Sequence, residues 1–235
     1  MIMKELKTPS LKDVFVSHME ELILTGELET GSKLPTEREL ADGMNVSRQV
    51  ISSGIDELKR KGFVHVVPRH GMYVSDYRAT GNIDTLNAIM EFRGKDLRKQ
   101  EVRSLLEIRW GLERMALLDA IENAEDSEIQ ELREILDNLK ECGSYENAAQ
   151  YGFKYLHKQS IIGRNMVIPL IYASFENVIV MMMRRFVSLY GIPQLYENLE
   201  KTWNYIAERD AEGAMKWSEE LVKDVICGDH MIYND

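Results

Sequence analysis

Residues 46–63 read VSRQVISSGIDELKRKGF, and this stretch decides the fold of the first part of the chain. Its apolar residues Ile51, Ile55 and Leu58 recur at helical spacing, which predicts a helix with one buried face. The polar front of that helix, led by Arg48, then lies on the outer face. Because the whole chain carries a formal net charge of -10, this arginine-led front end asks for a functional explanation.

The segments around this helix predict a complete small domain. Residues 10–25 and 36–44 both have helical spacing, and the second opens with the capping-box sequence TERE. Residues 63–76, FVHVVPRHGMYVSD, alternate as two short strands around a turn that contains proline and glycine. Three helices followed by a two-stranded wing form the winged helix-turn-helix layout, which we assign to residues 1–76.

In a winged helix-turn-helix domain the third helix lies in the major groove, with its N-terminal residues at the base edges. Arginine bonds two acceptors of guanine and glutamine bonds adenine, and each pair contributes about 1–3 kcal/mol of discrimination. A helix N-terminus with a hydroxyl beside it suits a phosphate. The expected DNA contacts are Ser47, Arg48, Gln49 and Ser52, with Arg38, Arg69 and His70 toward the backbone or minor groove. The alternative is that they are solvated surface residues.

The charge is unevenly divided between the two parts of the chain. Residues 1–76 hold 10 Lys and Arg against 12 Asp and Glu, whereas residues 77–235 hold 19 against 27. This acidity argues against a general affinity for nucleic acid, although it leaves room for a local basic patch. Four basic residues of the first part predict such a positive face: Lys59, Arg60, Lys61 and Arg69.

Residues 34–74 closely resemble the DNA-binding domain of the GntR family of bacterial transcription regulators. The matching residues are Leu34-Pro35, Glu37-Arg38-Glu39-Leu40-Ala41, Val46-Ser47-Arg48, Leu58, Lys61-Gly62 and Gly71-x-Tyr73-Val74. The resemblance implies that Arg38 and Arg48 contact DNA and that His70-Gly71 is the wing tip entering the minor groove. Many members carry arginine where Ser52 stands and glycine where His70 stands, so we expect a shifted operator preference.

The second part of the chain has helical patterns throughout. We interpret the short polar stretch 77–81 as a linker and residues 82–235 as an all-helical domain. Seven helices fit its apolar spacing: 82–93, 100–123, 127–141, 145–162, 166–190, 193–208 and 211–227. Charged residues and a proline interrupt its most apolar region, which therefore predicts a buried helix rather than a membrane span.

This helical part resembles the effector-binding and dimerisation domain of FadR-type regulators, in the stretches TGNIDTLNAIMEF, LLEIRWGLERMAL and IIGRN. The larger FadR-type group holds a metal ion with one Asp and three His around a small carboxylate. The other group lacks that set and binds acyl-CoA.

The metal-ligand set is incomplete in this sequence. His157 is the only histidine between residues 77 and 228, and Phe153 stands where the resemblance calls for the aspartate. The later histidine positions fall near Leu199 and Leu221. A divalent ion needs three or four ligands, so we expect no metal and no cofactor.

Without a metal, an anionic effector needs arginines or helix termini. Arg109 has Glu113 one turn later, so either a local ion pair or an effector anion explains it. The candidate effector-binding residues are Arg109, His157, Tyr172, Arg184, Trp203 and Tyr205. Two hypotheses stay open: an apolar or acyl-bearing effector such as an acyl-CoA, lodged among methionines and aromatic residues, or a small carboxylate bound by Arg109.

The sequence indicates a regulator rather than an enzyme. It contains no P-loop, Rossmann glycine set, nucleophile elbow or metal-binding histidine pair. Residues 1–10 lack the apolar run of a signal peptide, and Cys142 and Cys227 suit a reducing cytoplasm. We expect a cytoplasmic homodimer that binds a palindromic operator in double-stranded DNA as a repressor, with no membrane partner. The rival hypothesis is a helical ligand-binding or adaptor protein that has lost DNA binding.

Overall fold

The structure, a computed structural model, describes residues 9–93 and 99–233. The chain divides into two compact units, Met1–Lys95 (unit 1) and Asp96–Asp235 (unit 2). The described residues form eleven helices and two strands. The predicted fold class, mainly helical with an N-terminal winged helix-turn-helix and an all-helical second part, is confirmed.

Unit 1 begins with the three predicted helices and the wing. Its elements are α1 (Leu11–Thr25), α2 (Glu37–Met44), α3 (Arg48–Arg60), β1 (Val64–Val67), β2 (Gly71–Val74), α4 (Tyr77–Thr80) and α5 (Ile83–Arg93). The two strands pair antiparallel, with Val64 opposite Val74 and Val67 opposite Gly71. The described part of unit 1 is therefore a helical core with one small hairpin.

Local sequence signals set the ends of the first three helices. Ser10 and Thr36 each form a capping box with the residue three positions later, and the Ser47 hydroxyl accepts a hydrogen bond from the Val50 N–H. Gly26 and Gly62 follow α1 and α3 with φ of 87° and 77°, a left-handed conformation that glycine adopts without strain.

The buried face of α3 holds unit 1 together. Ile51, Ile55 and Leu58 are all at most 2% exposed. Between them Gly54 lies so close to α1 that an added Cβ would be 2.3 Å from Cδ1 of Phe15. A side chain at position 54 would therefore force α1 and α3 apart.

The expected linker and the expected start of the second domain differ from the structure. Residues Tyr77–Thr80 form the short helix α4, and α5 packs against α1, with Ala88 in the core of unit 1. The Thr85 hydroxyl donates to the Lys61 carbonyl, and the Asn82 amide donates to the Arg60 carbonyl at 2.8 Å. Residues 83–93 thus belong to unit 1, because helical spacing shows that a face is buried but not which core buries it.

Unit 2 is a bundle of six described helices. They are α6 (Lys99–Asn123), α7 (Asp126–Glu141), α8 (Tyr145–Ile162), α9 (Ile168–Ser174), α10 (Glu176–Glu208) and α11 (Ala211–Cys227). The central helix is α8, which packs against α6, α7, α9 and α10, while α11 packs against α6 and α10. Among the described residues, no helix is long and apolar enough to cross a membrane.

The structure breaks the region predicted as helices 166–190 and 193–208 at different residues. A break at Phe175 separates α9 from α10, and α10 bends at Gly191, where φ is 85° and ψ is 165°, two residues before Pro193. Met182 and Met183 point into the bundle and are at most 4% exposed. The predicted break at the glycine is thus present, as a bend.

Candidate nucleic-acid interface and helical-unit cavities

The front end of α3 presents polar side chains on its outer face. Ser47, Arg48 and Gln49 are exposed and Ser52 is half-buried, because the apolar face of α3 is turned into the core. Arg48 forms no ion pair with any described residue, so its guanidinium is available to an external anion or base. The geometry matches the expectation that this end of α3 is free to reach a ligand.

A second arginine stands on α2. The Arg38 side chain is 74% exposed, and its Nε lies 3.8 Å from a carboxylate oxygen of Asp42 one turn later. An exposed pair at this distance is weak, because water screens both charges. Arg38 is therefore nearly as available as Arg48.

The wing turn between β1 and β2 carries the remaining predicted contacts. Arg69 and His70 are exposed, and the His70 N–H donates to the Val67 carbonyl at 3.0 Å. Arg69 has φ of 66° and Gly71 has φ of 120°, so the turn bends sharply through the left-handed region. Arg69 has no carboxylate partner in the described part of the chain.

Lys33 is a basic residue beside the wing that sequence reasoning missed. Lys33 forms an isolated antiparallel bridge with Tyr73 of β2, and the Leu34 N–H donates to the Met72 carbonyl at 2.9 Å. A Cβ added at Gly71 would lie 2.9 Å from Cε of Lys33, which places the lysine stem against the wing turn. One bridged residue has no alternating pattern, so the sequence offered no signal for it.

The basic end of α3 is neutralised, contrary to the expected positive face. The Lys59 ammonium lies 3.0 Å from Asp56, and the Arg60 guanidinium bonds to Asp84 on α5. Charges that are already paired within the protein add little to the field that an external phosphate meets. Of the four residues of the expected positive face, Lys59, Arg60 and Lys61 are thus paired with carboxylates, and only Arg69 has no carboxylate partner among the described residues.

Lys61 completes this neutralisation from a less exposed position. Its ammonium lies 2.8 Å from Glu20 on α1 and 3.7 Å from Glu57. Burial raises the pKa of Glu20, and the Lys61 hydrogen bond opposes that rise. For Glu57 the balance is reversed, since a 2.6 Å hydrogen bond from Lys12 holds its pKa below the usual value. These pairs fasten α3 to α1.

In unit 2, Arg109 forms the predicted local pair. Its Nε–H donates to Glu113 at 3.2 Å, and Glu113 is only 8% exposed. Arg109 lines three neighbouring cavities, of about 40, 30 and 50 Å³, and Glu113 lines two of them. The Arg109–Glu113 pair therefore forms part of the wall of neighbouring cavities in the helical bundle.

The three cavities are small and largely apolar. Tyr172, Met182 and other residues of α6, α9 and α10 enclose the first. Leu199 and Leu221, where the resemblance places histidines in metal-binding relatives, line the third. One water molecule needs about 10–15 Å³ of such space, so each cavity has room for only a few heavy atoms.

Three buried polar side chains of unit 2 have unpaired atoms among the described residues, and one of them, Tyr172, lines the first cavity. The hydroxyls of Tyr155 and Tyr172 and both amide atoms of Gln159 form no hydrogen bond with the described residues. Burial raises the pKa of both tyrosines well above the usual value, and the charge of Glu113 adds to the rise. Each hydroxyl can donate one hydrogen bond, and no described residue accepts it.

His157 lies outside these cavities. Its ring stacks on Phe153 with 5.6 Å between ring centroids. Within residues 9–93 and 99–233, no three side chains of His, Cys, Asp or Glu are grouped so that they could hold a metal ion. The structure gives His157 a packing contact.

The other three candidate effector residues are apart from the cavities. Arg184 is exposed and lies 3.2 Å from Glu146. The Trp203 indole N–H donates to the Ile129 carbonyl at 2.9 Å. Tyr205 packs beside the start of α11. The structure brings only Arg109 and Tyr172 of the six candidates together.

Comparisons with known proteins agree with this geometry. Residues 12–74 match the family described as bacterial regulatory proteins, gntR family. The chain is 28% identical over 221 residues to the HTH-type transcriptional regulator LutR of Bacillus subtilis, covering 88% of this chain and 97% of LutR. It is 28% identical over 136 residues to the HTH-type transcriptional repressor NanR of an Enterobacter strain, covering 57% of this chain and 51% of NanR.

A solved structure shares the fold. Lar, which controls the expression of the Listeria monocytogenes agr system, superposes with a TM-score of 0.66 at 16% identity, covering 95% of this chain and 98% of Lar. LutR is named a transcriptional regulator and NanR a transcriptional repressor. The matched family model covers the unit that carries α3 and the wing.

Proposed function

Because this chain belongs to the GntR family of bacterial transcriptional regulators, we propose that it binds a palindromic DNA operator as a homodimer under the control of a small molecule. Its second unit is all-helical, as in FadR-type members. A dimer reads two half-sites related by its two-fold axis. One winged module offers too little surface for tight specific binding by itself.

The observation that carries the DNA-binding proposal is the free front end of α3. Arg48 and Gln49 are exposed and the buried face of the helix is turned the other way. Arg48 reads a base edge and Ser47 meets a phosphate at the helix N-terminus. Ser52 lies further along the same helix.

The wing and α2 position the domain on the duplex. Arg38, Arg69 and Lys33 bind phosphates, and His70 with Gly71 forms the wing tip at the minor groove. Contacts of this kind fix the register on DNA without reading its sequence. In this proposal the wing, α2 and the front of α3 together form the DNA-binding surface of unit 1.

The effector site in this proposal surrounds Arg109 and Tyr172 in unit 2. Each of the three spaces beside Arg109 measures about 50 Å³ or less, which is much less than an acyl-CoA occupies. An acyl-CoA would need the bundle to open, whereas a small carboxylate fits the space and meets the free N–H groups of Arg109. A bound molecule shifts DNA affinity only by binding one arrangement of the dimer more tightly.

We further propose that the chain is a cytoplasmic repressor that catalyses no reaction and needs no cofactor. The relative NanR is named a transcriptional repressor, which favours that direction of control. A bacterial regulator that binds operator DNA must be in the same compartment as the chromosome, which is the cytoplasm. The effector would then release or strengthen DNA binding to switch expression.

A pull-down of genomic fragments at about 0.15 M salt tests the DNA-binding proposal. Wild-type protein and Arg48→Ala are compared, and the retained DNA is sequenced. The expected result is one palindrome enriched by the wild type alone. No enrichment from the wild type, with or without small-molecule extracts, favours the rival hypothesis of a ligand-binding or adaptor protein without DNA binding.

A further inference from the structure

The long helix α6 exposes a row of apolar residues along its outer face. Ile108, Gly111, Met115 and Leu118 follow one another at spacings of three, four and three residues. Ile108 is 58% exposed, Met115 is 53% exposed and Leu118 is half-buried. This spacing keeps side chains on one side of a helix, as in the seam of a coiled coil. The row therefore faces away from the core of unit 2.

The short helix α9 and the residue before it extend this apolar surface. Val167 and Leu170 are 59% and 67% exposed. The first cavity lies between the two helices, since Leu105 and Leu112 of α6 and Ile171 of α9 all line it. Exposed apolar surface that runs across two neighbouring helices is typical of a protein–protein interaction site.

The charged residues beside the row are placed evenly about Gly111. Glu107 lies four residues before it and Arg114 three residues after it, on the same flank of α6. The Nε of Arg103 lies 2.8 Å from Glu107, but these side chains are 61% and 51% exposed, so the pair is weak. Arg114 is exposed and forms no salt bridge within the part of the chain that the structure describes. Both charges are thus available to a partner.

Gly111 allows a second helix to come close to α6. A Cβ built at this position meets no atom within 4 Å, so no described atom of the chain requires glycine here. Glycine inside a helix costs about 1 kcal/mol relative to alanine. An isolated glycine in a helix usually has a packing or functional reason, and close approach of another backbone is one such reason.

We propose that α6 and α9 form the face through which two copies of this chain associate, with their α6 helices antiparallel across a two-fold axis at Gly111. In this arrangement the apolar row packs against its own copy, and Glu107 of each copy lies opposite Arg114 of the other. A two-fold axis requires such self-complementarity. This inference rests on the proposed homodimer and names the surface that forms it.

The size of this face suits a stable dimer. Such an interface buries about 800 Å² on each partner. The 25 residues of α6 span about 38 Å, and each helix is about 10 Å wide. Because α9 lies beside α6 across the first cavity, it widens the surface beyond one helix.

Charge reversal tests the antiparallel pairing. Glu107→Arg and Arg114→Glu each place like charges opposite one another twice in the dimer, whereas the double variant restores opposite charges. Sedimentation of the full chain over a wide range of concentrations measures the dimer dissociation constant. Each single variant is expected to raise this constant at least about tenfold, because like charges in contact across an interface are strongly disfavoured. The double variant is expected to recover most of the loss.

Met115→Asp tests the apolar row, and Glu134→Arg is the matched control for charge reversal. Met115→Asp places a charge on the row and is expected to weaken the dimer, while the far-ultraviolet circular dichroism spectrum shows that the helices remain folded. Glu134 is exposed on α7, away from the proposed face. Its reversal is expected to leave the dissociation constant unchanged.

The outcomes separate this inference from the proposed function. Wild-type dissociation constants for both single charge variants and for Met115→Asp overturn this face but leave homodimeric operator binding intact, since another surface then joins the copies. Weaker dimers from the single variants without recovery in the double variant overturn the antiparallel pairing at Gly111. A wild type that stays monomeric at every concentration overturns both this inference and the proposed homodimer.

Discussion

Both ends of α3 carry basic side chains, one at the front and three at the far end, and they differ in what surrounds them. At the front, Arg48 is exposed and unpaired among the described residues, whereas Lys59, Arg60 and Lys61 at the far end are held by carboxylates. The front end is free to bind DNA, and the far end fastens α3 to its neighbours. Counting basic residues therefore overstates the DNA-binding surface, because only unpaired charge is available to a phosphate.

The packing between the two ends explains why they stay different. The buried residues of α3 set its rotation about its own axis, and that rotation sends Arg48 outward. The partners of the far end come from α1 and α5, at Glu20 and Asp84. The division of roles thus depends on the fold of unit 1 as a whole.

Replacing the front-end arginine is expected to have the largest effect. Arg48→Ala should weaken specific operator binding by about 1–3 kcal/mol for each half-site, because one base-reading side chain is lost from each protomer. It should also relax base preference at one operator position. Binding to the selected palindrome and to its single-base variants measures both.

Arg60→Ala is the matched control at the far end. Because Arg60 is paired with Asp84, its removal should leave base preference unchanged. Equal losses of specificity in Arg48→Ala and Arg60→Ala would contradict the claim that only the front end of α3 reads DNA bases.

The middle of α3 gives the next largest effect. Gly54→Ala should destabilise unit 1 by about 1–3 kcal/mol, because the new methyl group overlaps Phe15 and overpacking outweighs the helix propensity of alanine. Urea unfolding followed by circular dichroism should show an earlier transition. Tryptophan fluorescence should change little, because all three tryptophans lie in unit 2.

Gly43→Ala on α2 is the control for this substitution. A Cβ at position 43 has no atom within 4 Å, so helix propensity alone should act and stability should rise by up to about 1 kcal/mol. A destabilisation as large as that of Gly54→Ala would mean that the contact with Phe15 is not the cause.

Local features of unit 1 could be predicted from the sequence because their causes are local. The caps at Thr36 and Ser47 and the buried face of α3 follow from residues within one or two turns. Of the candidate site, the exposure of Arg48 and the Arg109–Glu113 pair followed in the same way, from helical spacing alone. Both predictions needed no knowledge of distant segments.

Features that depend on distant partners could not be predicted. Asp84 lies on a helix whose assignment to unit 1 the spacing did not reveal, and Glu20 lies on α1. Lys33 reaches the wing through a single bridge to Tyr73. In unit 2, nothing in the sequence distinguished Tyr155 from the other helical tyrosines as a buried, unpaired donor.

A smaller effect is expected from breaking the far-end pair. Lys61→Met keeps the apolar stem but leaves Glu20 nearly buried without its partner, so unit 1 should lose about 1–2 kcal/mol near pH 7. Burial already raises the folded-state pKa of Glu20 above 4.5, and loss of Lys61 should raise it further. Such a group favours folding below its unfolded pKa and loses that contribution as pH rises through the folded pKa.

The stability difference between wild type and Lys61→Met should therefore shrink as the pH is lowered from 7 toward 4.5, the ordinary pKa of the Glu20 carboxyl. Urea midpoints for wild type and variant across this range measure it. Lys59→Met is the control, because its pair with Asp56 is exposed, and it should show no such pH dependence. A deficit that stays constant with pH would assign the loss to packing instead.

The smallest expected effects come from removing single phosphate contacts, and they test the same difference between the two ends of α3. Lys33→Ala should weaken every DNA sequence about equally and reduce the slope of log affinity against log salt by about 1 for each bound protomer. Arg69→Ala should do the same from the other side of the wing turn. Lys59→Ala should reduce the slope less than Lys33→Ala, because a 3.0 Å contact with Asp56 already occupies that ammonium. Operator affinities measured between about 50 and 200 mM salt give the slopes. A reduced slope for Lys59→Ala with none for Lys33→Ala would place the phosphate track at the far end of α3, and the division between free and fastened ends would fail.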